Sequence, residues 1–192
     1  MTDSAVYPIP DAFSEAHVTP ERYQTLYRQS LDDPETFWSE QALLLDWHSP
    51  WTAISDTDIA RGAARWFVDA KLNVSVNCID RHLPERANDT AIIWEGDNPD
   101  DTQWFTYQEL KIQVCRFANA LRAQGVGKGD RVCIYMPMIP EAAFAMLACA
   151  RIGAIHSVVF GGFSPEALKD RINDAACRMV ITADEGVRGG KT

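Results

Sequence analysis

Three short, apolar segments alternate with helical segments between residues 131 and 182. The first two, Arg131–Met136 and Ile155–Phe160, contain the runs VCIYM and IHSVVF, and the third covers residues 178–182. A strand is apolar on both faces when helices cover both sides of a parallel sheet. The helices predicted between these strands begin at Pro140 and Pro165. This pattern predicts an α/β fold built on a doubly wound parallel sheet.

A β-hairpin and one long helix are predicted ahead of these strands. Apolar runs at residues 90–94 and 103–106 flank the turn-forming segment GDNPDD, a pattern typical of a hairpin. Thr106 and Glu109 have the spacing of a capping box, in which each side chain bonds the other residue's backbone N–H group. The helix that they open is apolar on one face and is predicted to end before Gly125.

Residues 1–84 are predicted to form a helical, aromatic-rich extension that packs on a main domain spanning residues 85–192. The segments Thr19-Pro20-Glu21 and Asp33-Pro34-Glu35 each combine an N-cap side chain, a proline and an acid, which is typical of a helix start. An appendage too small for its own core buries its aromatic side chains against a neighbouring domain. The aromatic residues concerned are Phe37, Trp38, Trp47, Trp51, Trp66 and Phe67.

The charge balance argues against binding to nucleic acid or to an anionic membrane. The 192 residues include 18 Lys and Arg against 27 Asp and Glu, a net charge of −9, which repels polyanions. The first half carries this excess, because residues 1–96 hold 7 basic and 16 acidic side chains. No segment has the length and apolar character of a membrane helix, and the N-terminus lacks the basic and apolar regions of a signal peptide.

The cysteines favour a reducing, cytoplasmic compartment. Secreted disulfide frameworks use even, clustered sets, and zinc sites use closely spaced pairs. The five cysteines of this chain are odd in number and scattered, and those in apolar segments are expected to behave as small hydrophobic residues. They are Cys78, Cys115, Cys133, Cys149 and Cys177.

Two glycine-rich segments depart from the phosphate-binding motifs that they resemble. Residues 125–129 lead from a helix into a strand, and Asp130 stands where a dinucleotide fingerprint needs glycine, so we interpret them as a turn. Residues 186–192 resemble a Walker A loop, but Glu185 occupies the position of its first glycine. Either Arg188 and Lys191 hold a phosphate on this loop or the loop is a solvated turn, and the residues alone leave both open.

The segment FGGFSP at residues 160–165 is a candidate ligand-binding loop. It follows a predicted strand and opens a helix, which is where open α/β sheets bind ligands. Gly161 and Gly162 let a planar group lie against the backbone, and Phe160 offers a ring to a base, although a tight turn also explains the glycines. No catalytic motif and no cluster with metal-ligand spacing is found, so no catalytic residue or metal ligand is predicted.

Several longer segments resemble one family, the AMP-forming acetyl-CoA synthetases, which belong to the adenylate-forming acyl-CoA synthetases. The similarity extends from about Trp38 to the C-terminus, with small departures at Ala70, Val76 and Lys191, the last of which stands where arginine is usual. The most specific segments are HSVVFGGFSPEAL and ITADEGVRGG. The others are KLNVS, NCIDRHL, WEGD, MPMIPEAA and ACARIGA.

This resemblance implies a two-step acetate–CoA ligase. ATP, with Mg²⁺, and acetate would form acetyl-adenylate and pyrophosphate, and the thiol of coenzyme A would then displace AMP. The main domain would be the start of an AMP-binding domain, truncated at Thr192, and the ATP phosphates, Mg²⁺ and acetate would be bound by residues beyond it. The N-terminal fragment alone is therefore expected to be inactive, and its half-sheet to self-associate.

The resemblance also implies a binding site for the nucleotide of coenzyme A. The residues implied are Phe160, Gly161, Gly162, Arg188, Gly189, Gly190 and Lys191. Two other functions stay open at this point. One is a stand-alone nucleotide-binding module of the flavodoxin-like kind, and the other is a non-catalytic domain whose aromatic N-terminal half docks a partner.

Overall fold

A computed structural model describes residues 7, 10–13 and 15–187 of the chain. It divides the chain into two compact units. The first consists of Met1–Leu45 and Trp51–Asp69, and the second of Asp46–Pro50 and Ala70–Thr192. The predicted packing of the N-terminal extension on the main domain stays a prediction.

The first unit begins with two helices that start where the sequence predicts. Helix α1 spans Pro20–Asp32 and helix α2 spans Pro34–Ala42. The side chain of Thr19 accepts a hydrogen bond from the Arg22 N–H group, and that of Asp33 accepts one from Thr36, each at 3.2 Å. Each N-cap therefore satisfies a backbone donor that has no partner within its helix.

The second part of this unit is a β-hairpin, which corrects the description of the whole extension as helical. Strand β1, Ala53–Asp58, pairs antiparallel with strand β2, Ala63–Val68. Gly62 closes the connection with φ +67°, a left-handed conformation that glycine adopts without strain. The ring of Phe67 meets Trp51 edge to face with centroids 5.4 Å apart, so part of the aromatic content stabilises the hairpin.

The second unit opens with a short helical segment held by two asparagines. It comprises helix α3, Val74–Cys78, a 3₁₀ turn at Asp80–His82 and helix α4, Leu83–Arg86. Asn73 caps α3 by accepting from the Val76 N–H group at 3.2 Å, and its amide donates to the carbonyls of Ala150 and Arg151 at 3.1 and 3.2 Å. Asn77 exchanges hydrogen bonds of 2.8 and 3.0 Å with the Asp46 backbone.

The predicted hairpin and capping box follow. Strands β3, Thr90–Glu95, and β4, Thr102–Thr106, pair antiparallel, and helix α5 spans Tyr107–Ala123. The Glu109 N–H group donates to the Thr106 hydroxyl at 3.2 Å, and the Thr106 N–H group donates to the Glu109 carboxylate at 2.8 Å. This backbone hydrogen bond lowers the pKa of Glu109, because it favours the ionised carboxylate.

The parallel sheet confirms the α/β prediction. Its strands are β5, Arg131–Met136, β6, Ile155–Phe160, and β7, Met179–Thr182, in the order β6-β5-β7. Helix α6, Pro140–Ile152, connects the first two strands, and helix α7, Pro165–Asp174, connects β6 to β7. The chain thus moves to one side of β5 and then returns past it to the other, as in a doubly wound sheet.

The core lies where α5 and α6 cover the central strand. Fully buried residues include Val114 on α5, Ala148 on α6, and Val132 and Ile134 on β5. Cys149 is buried there as well, and burial raises the pKa of its thiol to about 11. All five cysteines lie within the described residues, and all five are free thiols.

One ion-pair cluster joins three elements of the second unit. The carboxylate of Asp80 accepts hydrogen bonds from Lys111 on α5 and from Arg151 on α6. Burial opposes the ionisation of Asp80, but the hydrogen bonds and charges of Arg151 and Lys111 outweigh it and lower the pKa of this carboxyl. The cluster therefore fixes the Asp80 turn against both core helices.

Candidate functional site

A cleft of about 430 Å³ lies at the carboxyl ends of the three parallel strands. Open α/β sheets bind their ligands at this edge, because the loops that leave the strands converge there. It is lined by Asp97, Tyr135, Met136, Pro137, Met138, Phe160, Gly161, Gly162, Thr182, Ala183, Asp184, Glu185, Gly186 and Val187. The cleft therefore contains three of the seven residues expected to bind coenzyme A.

The loop after β6 is fixed by polar and aromatic contacts. The Tyr135 hydroxyl donates to the Gly161 carbonyl at 3.1 Å and lies 3.5 Å from the Phe163 carbonyl. The rings of Phe160 and Phe163 meet edge to face with centroids 6.3 Å apart, and the Arg171 guanidinium lies 4.8 Å from the centre of the Phe163 ring. Phe160 is still 53% exposed, so its ring is accessible from the cleft.

The glycines of this loop are not required by the conformation of the loop itself. Gly161 and Gly162 are not among the described glycines with positive φ. A Cβ atom on Gly161 would lie 3.6 Å from the Met136 carbonyl oxygen, which is an ordinary van der Waals contact. An alanine at Gly161 would therefore fit the fold, so packing alone does not require a glycine there. Without side chains, the backbone of this loop is accessible to a planar group.

The opposite wall of the cleft comes from the segment after β5. The indole N–H group of Trp94, on the β3–β4 hairpin, donates to the Met138 carbonyl at 2.7 Å. Sequence reasoning missed Tyr135, Pro137 and Met138 as site residues. The signal that could have found them is their position, since they end or follow the central strand of the sheet.

The described lining of the cleft is acidic. Asp97, Asp184 and Glu185 are its charged residues, and no Lys or Arg is among the lining residues that the structure describes. The Glu185 N–H group donates to the Asp184 carboxylate at 3.0 Å. Four predicted site residues, Arg188, Gly189, Gly190 and Lys191, lie outside the described residues, directly after Val187 in the sequence.

The described residues place no recognisable catalytic group in this cleft. No group of three or more His, Cys, Asp or Glu side chains is placed to hold a metal ion in the described ranges. The hydroxyl of Thr182 donates to the Ala183 carbonyl at 3.3 Å rather than to a base. What the arrangement offers chemically is a binding surface of two aromatic rings, exposed glycine backbone and carboxylates.

The described helices also include none that is long and apolar enough to cross a membrane.

Comparison with known proteins assigns the chain to a family. Residues 79–191 match the family described as AMP-binding enzyme, which is more than half of the chain. The chain belongs to the AMP-binding enzyme family. Residues 23–78 match a second family, described as the acetyl-coenzyme A synthetase N-terminus.

Within the AMP-binding enzymes, the chain is similar over its full length to proteins named acetyl-coenzyme A synthetase. It is 66% identical to acetyl-coenzyme A synthetase 2 of Pseudomonas putida. It is 62% identical to the acetyl-coenzyme A synthetase of Alkalilimnicola ehrlichii and 57% identical to that of Vibrio vulnificus. The chain spans about 30% of the length of each of these relatives.

Proposed function

We propose that the chain is the N-terminal part of an AMP-forming acetate–CoA ligase. The whole protein would form acetyl-adenylate and pyrophosphate from acetate and ATP, and would then transfer the acetyl group to coenzyme A with release of AMP. One observation carries this proposal: two contiguous family matches, at residues 23–78 and 79–191, combine an acetyl-coenzyme A synthetase N-terminus with an AMP-binding enzyme. The test is acetate-dependent ATP–pyrophosphate exchange by the whole protein.

The cleft at the carboxyl ends of the strands is proposed to bind the nucleotide of coenzyme A. Phe160 and the Gly161-Gly162 backbone would contact adenine, because Phe160 offers an exposed ring and the glycines have no side chain that would keep a planar group from the backbone. Arg188 and Lys191, which flank Gly189 and Gly190 in the sequence, would bind the 3′-phosphate. The described lining of the cleft contains no Lys or Arg that could take this role.

Replacing Gly161 with leucine is expected to raise the KM for coenzyme A by about tenfold or more, since a side chain that keeps the ligand from the loop backbone and removes about 1.4 kcal/mol of binding free energy has an effect of that size. The kcat of the adenylation half-reaction should stay near that of the wild type. A Cβ atom at this position is accommodated by the fold, so the midpoint of thermal unfolding should change little. Steady-state kinetics with varied coenzyme A measures the effect.

Gly127→Leu is the matched control for this substitution. Gly127 lies outside the cleft lining and its Cβ would meet only the Asp130 carboxylate at 3.9 Å. An unchanged KM in Gly161→Leu, or an equal rise in both variants, would show that the cleft does not bind coenzyme A.

ATP and Mg²⁺ are proposed as co-substrate and cofactor of the whole protein. Within the described residues, no group of three or more His, Cys, Asp or Glu side chains is placed to hold a metal ion, so no step through Mg²⁺ is assigned to them. A cytoplasmic location is also proposed, supported by the five free thiols.

Residues 1–192 alone are expected to give no acetate-dependent release of pyrophosphate above a blank without protein. The relatives are about three times as long, and the cleft that the described residues form contains no catalytic group. A coupled pyrophosphate assay at high protein concentration measures this. Acetate-dependent turnover by these residues would contradict the assignment of catalysis to the rest of the ligase.

The chain alone is also proposed to self-associate. In the described sheet, β6 and β7 are the edge strands, and Ile155, Val158 and Val180 are 55%, 52% and 43% exposed. Free edges and exposed apolar residues recruit other chains. Sedimentation velocity should therefore show oligomers whose fraction rises with protein concentration. Val158→Lys should reduce this fraction. Ile59→Lys is the control and should leave it unchanged, because Ile59 lies on an exposed turn of the first unit. A monomer at all concentrations would contradict this proposal.

A further inference from the structure

A second cavity, of about 550 Å³, lies at the opposite edge of the parallel sheet. It lies where α5 and α6 end and where the chain enters β5 and β6. Its apolar lining residues are Cys115, Ala118, Val126 and Ile152. Its charged lining residues are Arg122, Lys128 and Arg151, and no Asp or Glu is among the lining residues that the structure describes.

Lys128 is held in this cavity by packing. The aliphatic part of its side chain lies over Gly153, where a Cβ atom would come within 3.0 Å of the lysine Cγ. Gly153 has φ +75° and ends α6, so both its conformation and its lack of a side chain favour this contact. The stem of Lys128 therefore packs over Gly153, while the residue as a whole is exposed and its ammonium group is accessible to a ligand.

The side chains of Arg122 and Lys128 do not bind the carbonyl groups at the carboxyl ends of α5 and α6. The carboxyl end of a helix attracts cations, but carbonyls in the last turns of α5 and α6 accept hydrogen bonds from backbone N–H groups instead. The Val126 N–H group donates to Leu121 at 3.0 Å, and that of Ala154 donates to Cys149 at 2.9 Å. Within the described part of the chain, the side chains of Arg122 and Lys128 form no hydrogen bond or ion pair.

The carboxylates near this cavity form hydrogen bonds with groups other than Arg122 and Lys128. Asp80 binds Lys111 as well as Arg151. Asp130 accepts hydrogen bonds from the Gly127 N–H group at 2.8 Å and from Arg178 at 3.3 Å. In a chain with a net charge of −9, Arg122 and Lys128 thus remain as two cations without a described counter-ion.

We propose that this cavity binds a small anion that carries phosphate groups, either inorganic pyrophosphate or the phosphorylated end of a metabolite. A guanidinium fork and an ammonium group together match phosphate oxygens, and the Asn119 amide in the lining adds a polar donor. The volume lies within the range of small-molecule sites, and the apolar lining gives room for an uncharged body. Because the Gly127 and Gly129 N–H groups are bonded within the protein, side chains would supply the binding contacts.

Isothermal titration of the 192-residue chain with inorganic pyrophosphate tests the proposal. Saturable binding is expected, weakened about tenfold or more in Arg122→Gln and in Lys128→Gln by loss of a charge-assisted hydrogen bond. Arg116→Gln is the matched control, because Arg116 is exposed on the same helix and does not line the cavity. A parallel titration with ribose 5-phosphate distinguishes a site for pyrophosphate from a site for a phosphorylated metabolite. A metabolite site should bind ribose 5-phosphate more tightly than pyrophosphate, and a pyrophosphate site should show the reverse order.

Two further measurements separate binding from folding. Asn119→Asp keeps both cations but adds a negative charge at an exposed helix position, so it should weaken binding with little change in the unfolding midpoint. Bound pyrophosphate should slow alkylation of Cys115, which lines the cavity, but not of the exposed Cys78. Absence of saturable binding, or equal losses in Arg116→Gln and Arg122→Gln, would overturn the proposal.

Discussion

Replacing Arg188 with alanine in the whole protein is expected to raise the KM for coenzyme A by about tenfold to a hundredfold. The 3′-phosphate of coenzyme A carries nearly two negative charges near neutral pH, and a guanidinium offers it paired, charge-assisted hydrogen bonds. Losing such a bond costs about 1.5–3 kcal/mol, which corresponds to that range. Asp97, Asp184 and Glu185 make the described lining negative, so the ligand depends all the more on this cation.

Two controls make the result specific for the 3′-phosphate. ATP–pyrophosphate exchange should stay near the wild-type rate, since coenzyme A takes no part in adenylation, and with dephospho-coenzyme A the wild type and variant should converge. Arg188→Lys keeps the charge but not the fork, and should recover only part of the affinity. If exchange fell as far as thioester formation, Arg188 would act outside the coenzyme A site.

The elements that the sequence predicted best are those with local signals at both ends. Helix α6 begins at Pro140 and ends before Gly153, as expected, because proline preorganises a first turn and glycine accepts the left-handed conformation that ends a helix. The limits of β5 and β6 also agree with prediction, because both strands are apolar over nearly their whole length, although only the central strand β5 is largely buried.

The features that were missed either lack a recognisable local signal or depend on residues far apart in the sequence. The β1–β2 hairpin has no two-residue turn signal, because a 3₁₀ turn, Ile59–Arg61, and Gly62 connect its strands. The Trp94–Met138 hydrogen bond joins positions 44 residues apart, and the bond between Asp80 and Arg151 spans 71. Sequence reasoning placed Phe160 and its glycines at the site, but it could not show that the charged residues of the described lining are all carboxylates.

Asp80→Asn is expected to lower the free energy of unfolding by about 1.5–3 kcal/mol at neutral pH, the range for hydrogen bonds to charged groups. The amide nearly preserves the shape of the side chain but leaves Lys111 and Arg151 close together without their counter-ion. Only 23% of the Asp80 side chain is exposed, so water screens the loss incompletely. Urea unfolding, followed by circular dichroism, measures the change. Asp89→Asn is the matched control, because the Arg86–Asp89 pair is about half exposed, so water screens it and its loss should change the free energy of unfolding little.

The pH dependence of this difference identifies ionised Asp80 as its cause. Because folding lowers the pKa of Asp80, its stabilisation is complete above the unfolded-state pKa of about 3.9 and is lost as the pH falls toward the lower folded value. The gap between wild type and Asp80→Asn should thus be constant from about pH 5.5 to 8 and narrow below about pH 4. The amide introduced in the variant does not titrate, so only the wild type can lose this contribution. A gap that stays constant down to about pH 3 would mean that packing, rather than the charge of Asp80, stabilises the contact between this turn and the two core helices.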